Sequence, residues 1–146
     1  LFSDNILTRV HETRIRIDFV IEGKLVESRY IKSAVVVGQD KRYLAALILV
    51  NEEEIKGYAD DNGIQYDTYE SLLQSEVINK LYENEIANLI NSKNGFKLFE
   101  RISKFTLITK DFEVGVELSA KQEVMRFRIN EIYKKEIEAM YIGEDD

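Results

Sequence analysis

The 146-residue sequence contains no cysteine, no proline and no tryptophan, and it has one histidine and seven glycines. The absence of cysteine excludes a disulfide framework and a thiolate metal site, and it favours a reducing compartment. With His11 as the single histidine, a metal site built on two histidines is excluded. No apolar run approaches the ~18 residues that a membrane span needs, and the beginning of the sequence lacks a signal-peptide pattern.

Acidic residues are in excess, with 27 Asp and Glu against 20 Lys and Arg, which gives a net charge of −7. This balance argues against a protein dedicated to nucleic acids or anionic membranes. Hydrophobic residues make up 45% of the chain and aromatic residues 10%, so it can bury a core, and the composition argues against disorder. We therefore expect one domain that folds by itself as a soluble monomer. The start at Leu1 rather than Met favours a piece of a longer protein.

The clearest local pattern is a pair of apolar runs, residues 31–37 and 43–50, joined by a short loop that contains Gly38. This pattern predicts a β-hairpin in a mostly buried sheet. Helices are predicted from Asn51 to about Gly63, from Ser75 to Asn94 and from Ser119 to about Tyr141, and a strand within residues 96–109. The predicted fold class is α+β, with a small sheet packed by about three helices.

Residues 14–28 permit two interpretations. Charged and apolar residues alternate over residues 14–18, as is typical of a half-buried strand. Residues 17–28 also fit a short helix, with Ile21, Leu25 and Val26 on one face.

Four strings, in this order and spacing, carry a family resemblance: G-Q-D-K-R-Y-L-A-A-L-I at 38–48, G-F-K-L-F-E-R-I at 95–102, L-S-A-K at 118–121 and I-E-A-M-Y at 137–141. Together they resemble the C-terminal domain of AMP-forming long-chain fatty acid–CoA ligases, which belong to the adenylate-forming superfamily. The resemblance spans residues 8–141, nearly the whole chain.

The resemblance implies an enzyme that joins a fatty acid to CoA in two steps, through an acyl-adenylate made from ATP. It implies Mg²⁺ held by the ATP phosphates and no metal site on this domain. The partner would be a large N-terminal AMP-binding (adenylation) domain of the same parent chain, absent here, against which this domain moves as a lid. The implied location is the cytoplasm, with peripheral membrane association as an alternative. The fragment alone is expected to be inactive.

The string T-R-V-H-E-T at residues 8–13 is similar to the family's hinge string G-R-x-K-D-T. On this match Arg9 contacts the nucleotide ribose and Glu12 is the hinge acid. Residues 1–13 are then a hinge-like segment and residues 14–146 the lid domain. The alternative is that both residues are ordinary surface charges. The family's glycine-rich loop with E-N-V-x-P, used in thioester formation, has no counterpart between Thr13 and Glu22.

The family's catalytic lysine lies in the context L-T-x-T-x-K-x-K-R, which places it on Glu123 in this sequence. A carboxylate cannot stabilise the negative charge that builds between an acid and a phosphate, whereas a lysine can. Lys121, two positions earlier, is therefore the candidate catalytic residue, and a solvated lysine in a first helical turn is the alternative. Arg126 is expected to have a surface or phosphate-steering role. A non-catalytic binding or regulatory module is the alternative function.

Overall fold

The computed structural model describes residues 17–38, 41 and 43–142, which contain one three-stranded sheet. Strands β1 (Ile31–Val37) and β2 (Leu44–Val50) form an antiparallel hairpin. Strand β3 (Ile102–Ile108) pairs with β2 in parallel, so the order is β1-β2-β3. A parallel pair requires a long crossover connection, and the chain between β2 and β3 supplies it with helices.

Six helices surround the sheet: residues 17–25 (α1), Glu52–Asp61 (α2), Tyr69–Gln74 (α3), Glu76–Leu89 (α4), Arg126–Ile132 (α5) and Lys134–Met140 (α6). The side chain of Asn51 accepts the Glu54 N–H at 3.4 Å and caps α2. Ser75 caps α4 in the same way through the Ile78 N–H.

The strands bury side chains on both faces, which explains their nearly continuous apolar runs. One face contributes Ala46, Ile48 and Val50 of β2 to a core covered by α1 to α4. The other face contributes Ala45, Leu47 and Leu49 to a second core with residues of α5 and α6. The sheet is thus enclosed between two helical layers, each with its own core.

Four of the predictions are confirmed: the α+β class, the hairpin, α2 and the strand within residues 96–109. In the ambiguous segment, residues 17–25 are helical, while residues 14–16 lie outside the described part of the chain. The described residues form six helices rather than about three, because α1 and α3 add to the count and the last predicted helix is divided. Helix α3 begins at a capping box between Thr68 and Ser71.

The last predicted helix was wrong at its start. It begins at Arg126 instead of following Ser119, and it is interrupted at Tyr133, where α5 ends and α6 follows. Two phenylalanines in these C-terminal segments are exposed, since Phe99 is 68% and Phe127 63% accessible. Phe99 lies on the short 3₁₀ turn Leu98–Glu100, and Phe127 lies on α5, where Ile129 is the residue that enters the core.

Buried tyrosines should make the domain sensitive to alkali. Burial raises the pKa of Tyr133 and of Tyr141 to about 12, from an ordinary value near 10, and it raises that of Tyr82 as well. A raised folded-state pKa gives stability that is complete below pH 10 and lost as the pH rises toward 12. At ~1.4 kcal/mol per pKa unit, we expect a loss of roughly 2–3 kcal/mol for Tyr133 and the same for Tyr141.

Chemical denaturation at pH 9 to 12, followed by circular dichroism, measures this loss. Tyr141→Phe should be less stable than the wild type at pH 9, and the gap should narrow as the pH rises. A gap that stays constant up to pH 12 would contradict the assignment for Tyr141.

Candidate functional site

The loop that carries Lys121 is a short hairpin, residues 118–124, which we call the site loop. Leu118 and Val124 form an antiparallel bridge at its base. The Ser119 N–H donates to the Glu123 carbonyl at 2.8 Å, and the Gln122 N–H donates to the Ser119 carbonyl at 2.8 Å. Gln122 has φ 64°, the single positive value for a non-glycine residue in the described part of the chain. Such a conformation is retained only when its surroundings impose it.

The Ser119 side chain organises this loop instead of capping a helix. Its Oγ accepts the backbone N–H groups of Lys121 and Glu123, each at 3.3 Å. Both side chains project from the tip and are exposed. The loop therefore presents one positive and one negative side chain to solvent on a backbone held by hydrogen bonds.

Buried Glu117 supports one side of the site loop. It is 1% exposed, and its carboxylate accepts the Glu113 N–H at 3.0 Å and the Tyr133 hydroxyl at 3.2 Å. Its backbone carbonyl accepts the Met125 N–H at 2.9 Å. Sequence reasoning missed this residue, although an acid between apolar Val116 and Leu118 was a signal for it.

On its other side, the site loop is followed by α5, whose first residue forms an ion pair with α1. Arg126 Nη2 lies 2.7 Å from Glu22 Oε1, and the two side chains are only 22% and 13% exposed. Glu22 Oε2 accepts the Val36 N–H at 2.7 Å, and Arg126 Nη1 donates to the Val36 carbonyl at 3.3 Å. Burial raises the pKa of Glu22, while Arg126 and the Val36 N–H act in the opposite direction. We call this arrangement the Glu22–Arg126 clip.

The structure brings some of the predicted site residues together and leaves others out. Lys121 and Glu123 share the site loop, but Lys121 lies in a turn before α5 and not in a first helical turn. Arg9, Glu12 and His11 lie outside the described residues. The surface role expected for Arg126 is wrong, because its guanidinium is held by Glu22 and Val36 and lies 4.9 Å from the Phe19 ring. The alternative role, phosphate steering, stays a prediction.

Two of the family-like strings meet at the tip of the β1–β2 hairpin. Tyr43 and Tyr141 stack with ring centroids 4.8 Å apart. The Tyr43 hydroxyl donates to the Met140 carbonyl at 2.6 Å, and the Tyr141 hydroxyl donates to the Tyr43 carbonyl at 2.9 Å. The ammonium groups of Lys41 and Lys104 lie over these rings, at 5.5 Å and 5.8 Å from the centroids. These cations are therefore engaged in local packing.

A groove of about 440 Å³ lies between α4 and β3. Glu83, Arg101 and Lys104 line it among apolar side chains such as Ile86.

Within residues 17–38, 41 and 43–142, no group of three or more acidic, histidine or cysteine side chains could hold a metal ion. In the same residues, no helix is long and apolar enough to cross a membrane.

The fold and the site loop define a small α+β domain that offers a charged loop to solvent. The chain belongs to the family of C-terminal domains of AMP-binding enzymes, whose model matches residues 19–145. This match covers the sheet, α2 to α6 and the site loop.

Individual proteins are similar to this chain in sequence or in fold. A probable acyl-activating enzyme 16, chloroplastic, of Arabidopsis thaliana is 26% identical over 122 residues, which cover 83% of this chain and 16% of the plant protein. The adenylation domain of a carboxylate reductase from Mycobacterium chelonae shares the fold with a TM-score of 0.65 and 20% identity, over 83% of this chain and 17% of that one. The A-PCP didomain of a carboxylic acid reductase from Segniliparus rugosus, in complex with AMP, shares the fold with a TM-score of 0.66 and 18% identity. The similarity covers 85% of this chain and 16% of that one.

Proposed function

We propose that this chain is the C-terminal lid domain of a larger enzyme that activates a carboxylic acid with ATP. The family match over residues 19–145 is the observation that carries the proposal. The chain spans less than a fifth of the relatives that it matches, so the large adenylation domain, ATP and Mg²⁺ on the ATP phosphates belong to the proposed parent. The division into a hinge-like segment, residues 1–13, and a lid, residues 14–146, is part of the same proposal.

In the first step, a carboxylate oxygen of the acid attacks the α-phosphorus of ATP, and the bond to pyrophosphate breaks. Negative charge accumulates between the acid and the phosphate, and a fixed cation there lowers the barrier. Lys121 is the residue on the site loop that can supply this charge. Arg9 would contact the ribose and Glu12 would serve at the hinge, as the family resemblance implies.

For the acid we propose a long-chain fatty acid, with CoA as the acceptor of the acyl group. In the second step the CoA thiol attacks the acyl carbon, and AMP leaves. The resemblance of the four sequence strings to long-chain fatty acid–CoA ligases supports this choice. Two of the similar solved structures come from carboxylic acid reductases, so other acids and acceptors belong in the test.

A panel of acids tests this proposal with the full-length protein that contains this chain. Acid-dependent exchange of pyrophosphate into ATP should be detected with palmitate and decline with short or aromatic acids. The acyl-adenylate should then yield acyl-CoA when CoA is added. Exchange with an aromatic acid alone would replace the fatty-acid assignment, and exchange without acyl-CoA would exclude CoA as the acceptor.

The isolated 146-residue chain should catalyse neither step. It offers a charged loop and a surface groove, and nothing in the described residues positions ATP against a carboxylate. Pyrophosphate release from ATP and palmitate, measured against a blank without protein, should be at background. Release above the blank would show that the catalytic machinery lies within this chain.

The alternative is a binding or regulatory module that kept the fold and lost the chemistry. The carboxylate of Glu123 at the family's lysine position is the observation that favours it. In this case the full-length protein would show no acid-dependent exchange with any acid in the panel.

A further inference from the structure

Val36 lies on the outer edge of β1, where no further strand is paired among the described residues. The Glu22–Arg126 clip binds both of its outward backbone groups, since Glu22 accepts the N–H and Arg126 donates to the carbonyl. The two side chains also bind each other at 2.7 Å. The pair thereby closes a ring of three interactions among α1, β1 and α5, which are held in one arrangement.

The clip also links two segments that are far apart in the sequence. Arg126 is the first residue of α5 and follows Glu123 of the site loop by three residues. Glu22 lies in α1, shortly after the hinge-like string at residues 8–13. The clip therefore joins the segment that enters the domain to the segment that carries the loop, although 104 residues separate the two side chains in sequence.

The desolvation cost of an ion pair with little exposure indicates that the Glu22–Arg126 clip fixes geometry more than it adds stability. Removing two charges from water costs free energy that their attraction only partly returns, so buried pairs are weak evidence for stability. Ion pairs on the surface, such as Lys24–Glu27 and Arg29–Glu54, are more exposed. A buried pair with a defined set of partners is better suited to fix one arrangement of the surrounding elements.

We propose that Glu22 and Arg126 are positioning residues, which hold the site loop in a fixed place relative to α1. Glu117 holds the loop from its other side, through the Met125 N–H. With both sides fixed, the hydrogen-bonded hairpin can hold Lys121 in a constant position relative to the rest of the domain. The role in catalysis rests on the proposed function, whereas the role in holding the loop does not.

Amide hydrogen exchange in the 146-residue chain tests the structural part. In Glu22→Gln, exchange of the Ser119 and Met125 amides should be at least ~10-fold faster than in the wild type, while that of the Ile48 amide in β2 changes less than twofold. The matched control is Glu27→Gln, the same substitution at an exposed residue just beyond α1, which should leave all three unchanged. If Glu22→Gln does not fold, Arg126→Lys, which keeps the charge and loses the forked geometry, is measured in the same way.

Two results would overturn this part. Equal acceleration of all three amides would indicate a general loss of stability. Faster exchange at Val36 with unchanged rates at Ser119 and Met125 would show that the clip protects the strand edge and does not position the loop.

Kinetics of the full-length protein test the catalytic part. In Glu22→Gln, the kcat for acid-dependent pyrophosphate exchange should fall ~10-fold, with the KM for ATP within twofold of the wild type. Glu27→Gln should retain both values. A wild-type kcat in Glu22→Gln would refute the positioning role. Absence of exchange in the wild-type protein would refute the proposed function instead, and the amide exchange rates would still decide whether the clip holds the loop.

Discussion

Lys121→Ala in the full-length protein should slow formation of the acyl-adenylate by about 100-fold, the scale expected for losing one aimed electrostatic group. The substitution removes the ammonium group and leaves the loop intact, because Ser119 binds the backbone N–H of residue 121 and not its side chain. Pyrophosphate exchange under single-turnover conditions measures the effect.

Thioester formation from preformed acyl-adenylate should be nearly unchanged in the same variant. The family resemblance implies a lid that rotates between the two steps and presents a different face for the second, so we expect Lys121 to be turned away in that step. Lys135→Ala is a suitable control, because Lys135 is an exposed lysine on α6 and the change of charge is the same. Arg126 cannot serve as a control, since its guanidinium is part of the clip.

Glu123→Lys provides the complementary experiment. It places a lysine at the family position, and the Glu123 N–H to Ser119 Oγ contact does not depend on the side chain. Adenylation should be unchanged or faster. Wild-type adenylation in Lys121→Ala would refute the catalytic role of Lys121, and a strong gain in Glu123→Lys would then indicate that the natural chain lacks the lysine chemistry.

The parts of the fold that the sequence predicted correctly rest on local patterns. The hairpin follows from two apolar runs around Gly38, and α2 follows from Asn51 with three acids behind it. In both cases the residues that define the element are neighbours in sequence. Periodicity and capping then contain enough information to predict the element.

The site loop could not be predicted in this way, because its signals are shared with a helix start. Ser119 followed by charged residues is typical of an N-cap, yet its hydroxyl binds N–H groups within a hairpin. The contacts that flank the loop, Glu117 with Tyr133 and Arg126 with Glu22, are tertiary contacts that the local pattern does not contain. Arg126 illustrates the limit: a surface role was expected for it, and only the tertiary contact with Glu22 reveals that it is largely buried.

Gly38→Ala should destabilise the domain by about 3–4 kcal/mol, and the contact that causes this explains why the G-Q-D-K-R-Y and I-E-A-M-Y strings occur together. Gly38 has φ 95°, which costs a residue with a Cβ atom about 1 kcal/mol. A Cβ at this position would also overlap the Tyr141 hydroxyl and lie 3.0 Å from the Tyr43 carbonyl. Tyr141 would have to move, losing its hydrogen bond to Tyr43 and the stacking of the two rings, together worth about 2–3 kcal/mol.

Gly95→Ala separates the two contributions. Gly95 has φ 90°, nearly the same as Gly38, but a Cβ there would meet no atom within 4 Å. It should lose only about 1 kcal/mol, the cost of the backbone conformation. Urea denaturation of both variants, and of Gly38→Ala combined with Tyr141→Leu, forms a double-mutant cycle. Because the smaller leucine removes the overlapping hydroxyl, Gly38→Ala should cost much less in the Tyr141→Leu background than in the wild type. Equal losses in Gly38→Ala and Gly95→Ala would mean that the hairpin tip moves away from Tyr141 without cost, and the contact with α6 would not then explain the glycine.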